Sequence, residues 1–166
     1  MGAKGIEKLG KLDQLRTLVL WADGVNDDQL PAIGQLKELR YLQLGFNRGI
    51  RGNTLMSLAP LTKLEFLSLW DTSLDDAGLR NLPELTSLKT LAIGRTAITD
   101  LSIARMQDLK ALQVLNVADT KVTDDGIRQL ASHPSIIRIE ATGSKITRAT
   151  LDDLAKLKPG LTTDLK

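Results

Sequence analysis

The segment Leu109–Ser132, LKALQVLNVADTKVTDDGIRQLAS, lies position for position under Leu85–Asp108, LTSLKTLAIGRTAITDLSIARMQD. Leu85, Leu88, Leu91, Ile93, Thr96, Ile98, Ile103 and Met106 match Leu109, Leu112, Leu115, Val117, Thr120, Val122, Ile127 and Leu130, each 24 residues later. A unit this short cannot bury its apolar residues alone, so it must stack on copies of itself. A fixed period of this size marks a solenoid.

The register extends over the whole chain, read as a single domain, 1–166. Full repeats begin at Leu12, Leu36, Leu61, Leu85, Leu109 and His133 and run to residue 156. Gly5 to Leu9 matches Gly126 to Leu130, so residues 1–11 read as a half-repeat entered on its helix. The second repeat has 25 residues, the extra one in the Arg48-Gly49 turn. In the sixth, Ile136, Ile139, Ala141, Ser144, Ile146, Leu151 and Leu154 keep the pattern with weaker residues. Pro159 and Gly160 are expected to stop a seventh unit from forming, leaving 157–166 as an unfinished tail.

Within each repeat, triplets such as Leu115-Asn116-Val117 and Leu67-Ser68-Leu69 alternate with period 2 and predict short strands. The stretches Asp75 to Leu82 and Asp124 to Leu130 carry apolar residues at i, i+3 spacing and predict short helices, marginal unless packed on neighbours. The expected fold is α/β, a right-handed solenoid with a parallel sheet on its concave face and helices on its convex face. Asp23, Asn47, Thr72, Thr96, Thr120 and Ser144 share a position after the strand, where a small polar side chain can bond turning backbone. Asn26, Asp75, Thr99, Thr123 and Thr147 share a helix N-cap position; Arg51 breaks that series, which moves the expected cap to Asn53.

This order of residues resembles the leucine-rich repeat family, and Val122 to Ile127, VTDDGI, looks like the ITDxGL signature of its 24- to 26-residue repeats. Repeats of that kind occur in F-box-associated adaptors and in many bacterial proteins. The resemblance implies the fold; each member's partner is read by its variable residues.

Composition narrows the function. Only 3% of the residues are aromatic, as an aliphatic solenoid core requires, and a net charge of +2 from 22 basic and 20 acidic residues points to neither nucleic acid nor membrane. With no cysteine, no signal-peptide pattern and no myristoylation pattern at Met1-Gly2, a cytoplasmic location is expected. The pairs Asp27-Asp28, Asp75-Asp76 and Asp124-Asp125 read as helix-start acids rather than a calcium or acid/base site. His133, the single histidine, reads as a surface or turn residue. No nucleophile motif, Walker loop or dinucleotide fingerprint is present, so neither enzyme activity nor a cofactor is expected.

The five aromatics carry the functional reading. Trp21, Tyr41, Phe46, Phe66 and Trp70 all fall at strand or strand-exit positions pointing away from the leucines, and all in the first three repeats. Exposed aromatics on one face mark a contact surface more readily than a strand preference does. Neighbouring strands are about 4.8 Å apart, so Trp21 and Trp70 on alternate strands would stand roughly 10 Å from each other. They would flank a slot over Gly45, or fold over that glycine and close it. Tyr41 and Phe66 form a second wall, Gln43 and Ser68 offer hydrogen bonds, and Arg95, Asn116, Asp119, Arg138 and Glu140 make a polar flank. The expected function is a non-enzymatic module binding a protein or peptide, with Trp21, Tyr41, Gln43, Phe46, Phe66, Ser68, Trp70, Arg95 and Asn116 as contacts. The alternatives are a self-associating surface or a structural segment of a longer array, adaptor or receptor-like, and a small-ligand sensor in the Trp–Gly–Trp slot.

Overall fold

The computed structural model of the chain describes residues 3–9 and 12–164. Residues 1, 2, 10 and 11 of the expected half-repeat, and the last two of the expected tail, lie outside that range. Each repeat contributes one three-residue strand: β1 (Thr17–Val19), β2 (Tyr41–Gln43), β3 (Phe66–Ser68), β4 (Thr90–Ala92), β5 (Val114–Asn116) and β6 (Arg138–Glu140). With β7 (Thr162–Thr163) they form one parallel sheet in sequence order. The central residue of each triplet, Leu18, Leu42, Leu67, Leu91, Leu115 or Ile139, points into the core, and the next inward residue is Leu20, Leu44, Leu69, Ile93, Val117 or Ala141. All are buried in one apolar cluster that runs from Ile6 to Leu161.

The other side of the coil carries α1 (Ala3–Leu9), α2 (Leu30–Ile33), α3 (Asp76–Leu79), α4 (Asp100–Ile103), α5 (Asp124–Arg128) and α6 (Arg148–Leu157). Between them lie 3-10 turns at Asp27–Gln29, Leu55–Leu58, Ala104–Asp108 and Gln129–Ser132. The helices expected over 75–82 and 124–130 are therefore shorter, and 3-10 turns replace or extend them. Strands stack at about 4.8 Å whereas packed α-helices need 8–10 Å. Narrower 3-10 turns ease that mismatch, and what remains of it curves the stack with the sheet inside. The product is a right-handed α/β solenoid, strands on the concave face and helices on the convex.

The unit begun at Leu157 does form a strand, contrary to expectation. Pro159 and Gly160 interrupt the turn, but Thr162 and Thr163 still pair with Arg138 and Ile139, and the Asp164 carboxylate accepts the Ala141 N–H at 2.7 Å. An open edge of β6 is enough to template them.

The polar columns hold successive turns together. Thr72, Thr96, Thr120 and Ser144 each donate a hydroxyl to the carbonyl three residues back. Asn47, unlike those four, also reaches the previous repeat: its Nδ2 donates to Leu20 and Leu44 carbonyls, and its Oδ1 accepts the Val25 N–H at 3.0 Å. Asn26, Asp75, Thr99, Thr123 and Thr147 cap their helical turns as expected.

The acidic pairs do more than cap. Asp27 accepts the N–H groups of Arg51, Gly52 and Asn53 from the preceding repeat, and the cap position falls not on Asn53 but on Thr54, whose side chain makes no cap bond. Asp76, Asp100 and Asp124 do the same to the N–H and hydroxyl of Thr99, Thr123 and Thr147. Burial raises the Asp76 carboxyl, but hydrogen bonds from Ser102 and Thr99, with Arg80 nearby, hold it below its ordinary 3.8. Asp124 is held below 3.8 chiefly by the Thr147 N–H. Because these carboxyls are harder to protonate folded than unfolded, their contribution is lost as pH falls below about 4.

His133 is not a surface residue; it is wholly buried. Pro134 pushes it into extended backbone (φ −64°, ψ 129°), so its carbonyl cannot close the turn as Leu109's does for Leu112. The ring takes over: Nδ1 accepts the N–H groups of Ser135 and Ile136 at 3.3 Å, and Nε2–H donates to the Met106 carbonyl at 3.0 Å. Burial pushes its pKa below 6.5 against the pull of the Met106 and Leu109 carbonyls, with Lys158 and Lys110 assisting. The unfolded chain then binds a proton that the folded one refuses, so stability should fall as pH drops below about 6.5. Urea melts at pH 7.5 and 5.5 check this. The native chain should lose stability between them, and a His133→Leu variant should not lose it over that interval.

Candidate binding face

Three columns of side chains face outward from the sheet. The first residues of the strands give Thr17, Tyr41, Phe66, Thr90, Val114 and Arg138; the third residues give Val19, Gln43, Ser68, Ala92, Asn116 and Glu140. Backbone pairing continues past the strands, from Ala22 N–H to the Gly45 carbonyl, Phe46 to Trp70, Asp71 to Gly94 and Arg95 to Ala118. It therefore aligns a third column: Trp21, Gly45, Trp70, Gly94, Ala118 and Thr142.

The residue after this third column turns the chain, and it does so in left-handed backbone every time. Ala22, Phe46, Asp71, Arg95 and Asp119 have φ of 50–61°, and Gly143 has 75°. A side chain there costs about 1–2 kcal/mol, and a bulky one such as Phe is rare. Gly143, and to a lesser degree Asp71 and Asp119, are residue types that accept this turn. It throws Phe46 sideways against Trp21, ring centroids 5.1 Å apart and planes at 81°, an edge-to-face pair. Trp21 remains 57% exposed and Phe46 38%. Tyr41 and Phe66 stack face to face at 4.1 Å.

The two indoles do not share Gly45. Trp21 leans over Gly45, its Cδ1 3.4 Å from where a Cβ would stand, while Trp70 lies on Gly94, where a Cβ would meet its ring at 2.2 Å. Each tryptophan thus rests on the glycine of the following repeat. The space left is an open concavity of about 360 Å³. Trp21, Gln43, Phe46, Phe66, Ser68, Trp70 and Asn116 all line it, with Ala92 and Glu140 further along. Tyr41 and Arg95 do not. Tyr41 lines a shallower depression with Arg40, Glu65 and Lys89, and Arg95 lies at the strand-exit rim beside Arg48 and Asp71.

The polar groups within the concavity are unequally satisfied. Asn116 accepts the Ala118 N–H and donates to Glu140, which Arg138 also holds at 2.8 Å. Ser68 accepts the Trp70 N–H at 3.4 Å. Gln43 Oε1 is buried with no hydrogen-bond partner among the described residues. A buried acceptor left unpaired costs about 1–3 kcal/mol.

The repeat length, the parallel single-turn strands and the post-strand polar column together make this a leucine-rich-repeat solenoid. Solved structures agree on the fold. An internalin, InlF, from Listeria monocytogenes matches 95% of the chain and 49% of its own length at TM-score 0.58 and 16% identity. The LRIM1/APL1C complex gives 84% and 25%, TM-score 0.64 and 20% identity. The Leptospira interrogans leucine-rich-repeat protein LIC12759 gives 96% and 51%, TM-score 0.50 and 17% identity. The chain thus spans about half or less of the length of these matched chains. No protein-family model matches the chain, and no curated protein matches it in sequence. No helix among the described residues is long and apolar enough to cross a membrane.

Proposed function

We propose that this solenoid is a non-enzymatic interaction module whose concave face binds a protein or peptide through Trp21, Phe46, Phe66 and Trp70, with Gln43, Ser68 and Asn116 as polar contacts. Tyr41 braces Phe66 from behind. The observation that carries the reading is that none of these rings belongs to the leucine core, while Trp21 and Phe46 stay exposed beside the half-buried Phe66 and Trp70. Proteins of this fold are typically protein-interaction modules, and one of the similar structures is itself a complex. Enclosure is too slight for a small-ligand sensor.

Burying one such ring on binding contributes ~1.5–3 kcal/mol. Trp21→Ala and Trp70→Ala should each weaken a bound partner roughly tenfold or more, as measured by titration calorimetry on partners recovered with the native chain. Unchanged affinity in both variants would remove the aromatic face from the function. A second reading, self-association, has its own support: Val19 on the edge strand β1 and Trp21 just past its end are both more than half exposed. Light scattering over a concentration series separates the two, since association through this edge makes apparent mass rise and Trp21→Ala suppresses the rise.

A further inference from the structure

Beside the aromatic concavity, a second one of about 400 Å³ opens at the strand-exit rim. Asp71 lies in it, only 6% exposed, and its two oxygens go to different arginines. Arg48 Nη2 donates to one at 2.7 Å, and Arg95 Nη1 stands 3.8 Å from the other. A guanidinium has five N–H donors, so each arginine keeps most of its own. Both side chains remain about half exposed or more, Arg48 at 74% and Arg95 at 48%. Lys121 lines the same concavity. The other carboxylate lining it, Asp119, is exposed and leans towards the following repeat, one of its oxygens 2.0 Å from where a Cβ on Gly143 would stand; Arg48, Arg95 and Lys121 still outnumber the two carboxylates by one, and Asp71 is buried beneath them. The outward charge is therefore cationic, and Asp71 underneath holds the two guanidiniums near a common point.

This rim continues the aromatic face. Phe46, Asp71 and Arg95 occupy consecutive places in the left-handed column, one strand apart. Two strand spacings put Arg95 about 10 Å from Phe46, the reach of about three residues of extended chain. Paired guanidiniums match a carboxylate or a phosphate, and of these only the carboxylate occurs on the unmodified side chains of a peptide.

We propose that Arg48 and Arg95 bind the carboxylate of an acidic side chain, so that the partner is an extended peptide carrying Asp or Glu about three residues from the apolar residue held at Trp21 and Phe46. This rests on the peptide-binding reading of the concave face.

Panning a random peptide display library against the full chain tests it. The enriched peptides should share an acid at that spacing from a large apolar residue. For the tightest of them, replacing its Asp by Asn or its Glu by Gln should weaken binding about tenfold or more without touching the protein. Arg48→Gln with Arg95→Gln should cost as much, and Arg48→Lys with Arg95→Lys, which keeps Asp71 paired, should cost less. The coupling between peptide acid and arginines should shrink as salt is raised. Enriched peptides without a common acid overturn the proposal, as does an acidic peptide indifferent to its amide version. Loss with Trp21→Ala and Trp70→Ala but not with the arginine variants overturns the carboxylate site and leaves the aromatic reading standing. No loss with the tryptophan variants, or no enriched peptide at all, overturns both.

Discussion

Replacing Asn47 by alanine is expected to destabilise the fold by roughly 2–5 kcal/mol, from the loss of several buried hydrogen bonds at about 1–3 kcal/mol for each group left unpaired. Asn47 is 1% exposed and sits under the turn that leads out of the second strand. Its amide holds the Leu20 and Leu44 carbonyls at 2.6 and 2.8 Å, and its oxygen holds the Val25 N–H. Two of those groups belong to the preceding repeat, so alanine loosens one repeat from the next as well as leaving polar groups dry. Asn47→Thr provides the internal comparison. It keeps the bond back to Leu44, as Thr72 keeps its bond to Leu69, and loses the two to the neighbouring repeat. Its loss should be about half that of alanine. Urea unfolding measures both through the midpoint at constant slope. An Asn47→Ala shift no larger than that of an ordinary surface substitution would show that the inter-repeat bonds carry no weight.

Gly78→Ala should also destabilise, by about 1–3 kcal/mol, the usual result of forcing an extra methyl into closed packing. Here the sign alone is informative. Gly78 lies inside α3, where alanine is favoured over glycine by about 1 kcal/mol, so helix propensity predicts a gain. The space forbids it. A Cβ on Gly78 would stand 1.9 Å from the Arg51 carbonyl oxygen. Gly52, at φ +92°, meets the same junction from the other side, where its own Cβ would lie 2.7 Å from the Gly78 backbone. The two glycines are back to back where the 25-residue repeat meets the next. A rise in urea midpoint for Gly78→Ala would mean that the junction has room it does not show.

The repeat register was legible because it depends on one-dimensional periodicity. Leu67 and Leu91 are 24 apart in sequence and paired in the sheet, so the outward direction of Tyr41, Phe66 and their columns followed from alternation alone. The caps at Asp75, Thr99, Thr123 and Thr147 were legible for the same reason, since a cap bonds its own next turn. His133 was misread because its burial comes from Met106, a repeat away, and from the Pro134 turn. The acidic pairs were half-read: Asp75 caps its own helix, but Asp76 reaches the next repeat, a contact no local pattern encodes.

Sequence by itself therefore determined the class of fold, the number of strands up to the sixth, the inward leucines and the outward rings, because each follows from a spacing repeated along the chain. Tertiary structure decided how neighbouring turns touch: which glycine each indole rests on, the left-handed turn that aims Phe46 at Trp21, and the two arginines gathered over Asp71. Those depend on distances between residues in adjacent repeats, and at a stacking of about 4.8 Å an ångström separates a contact from a clash.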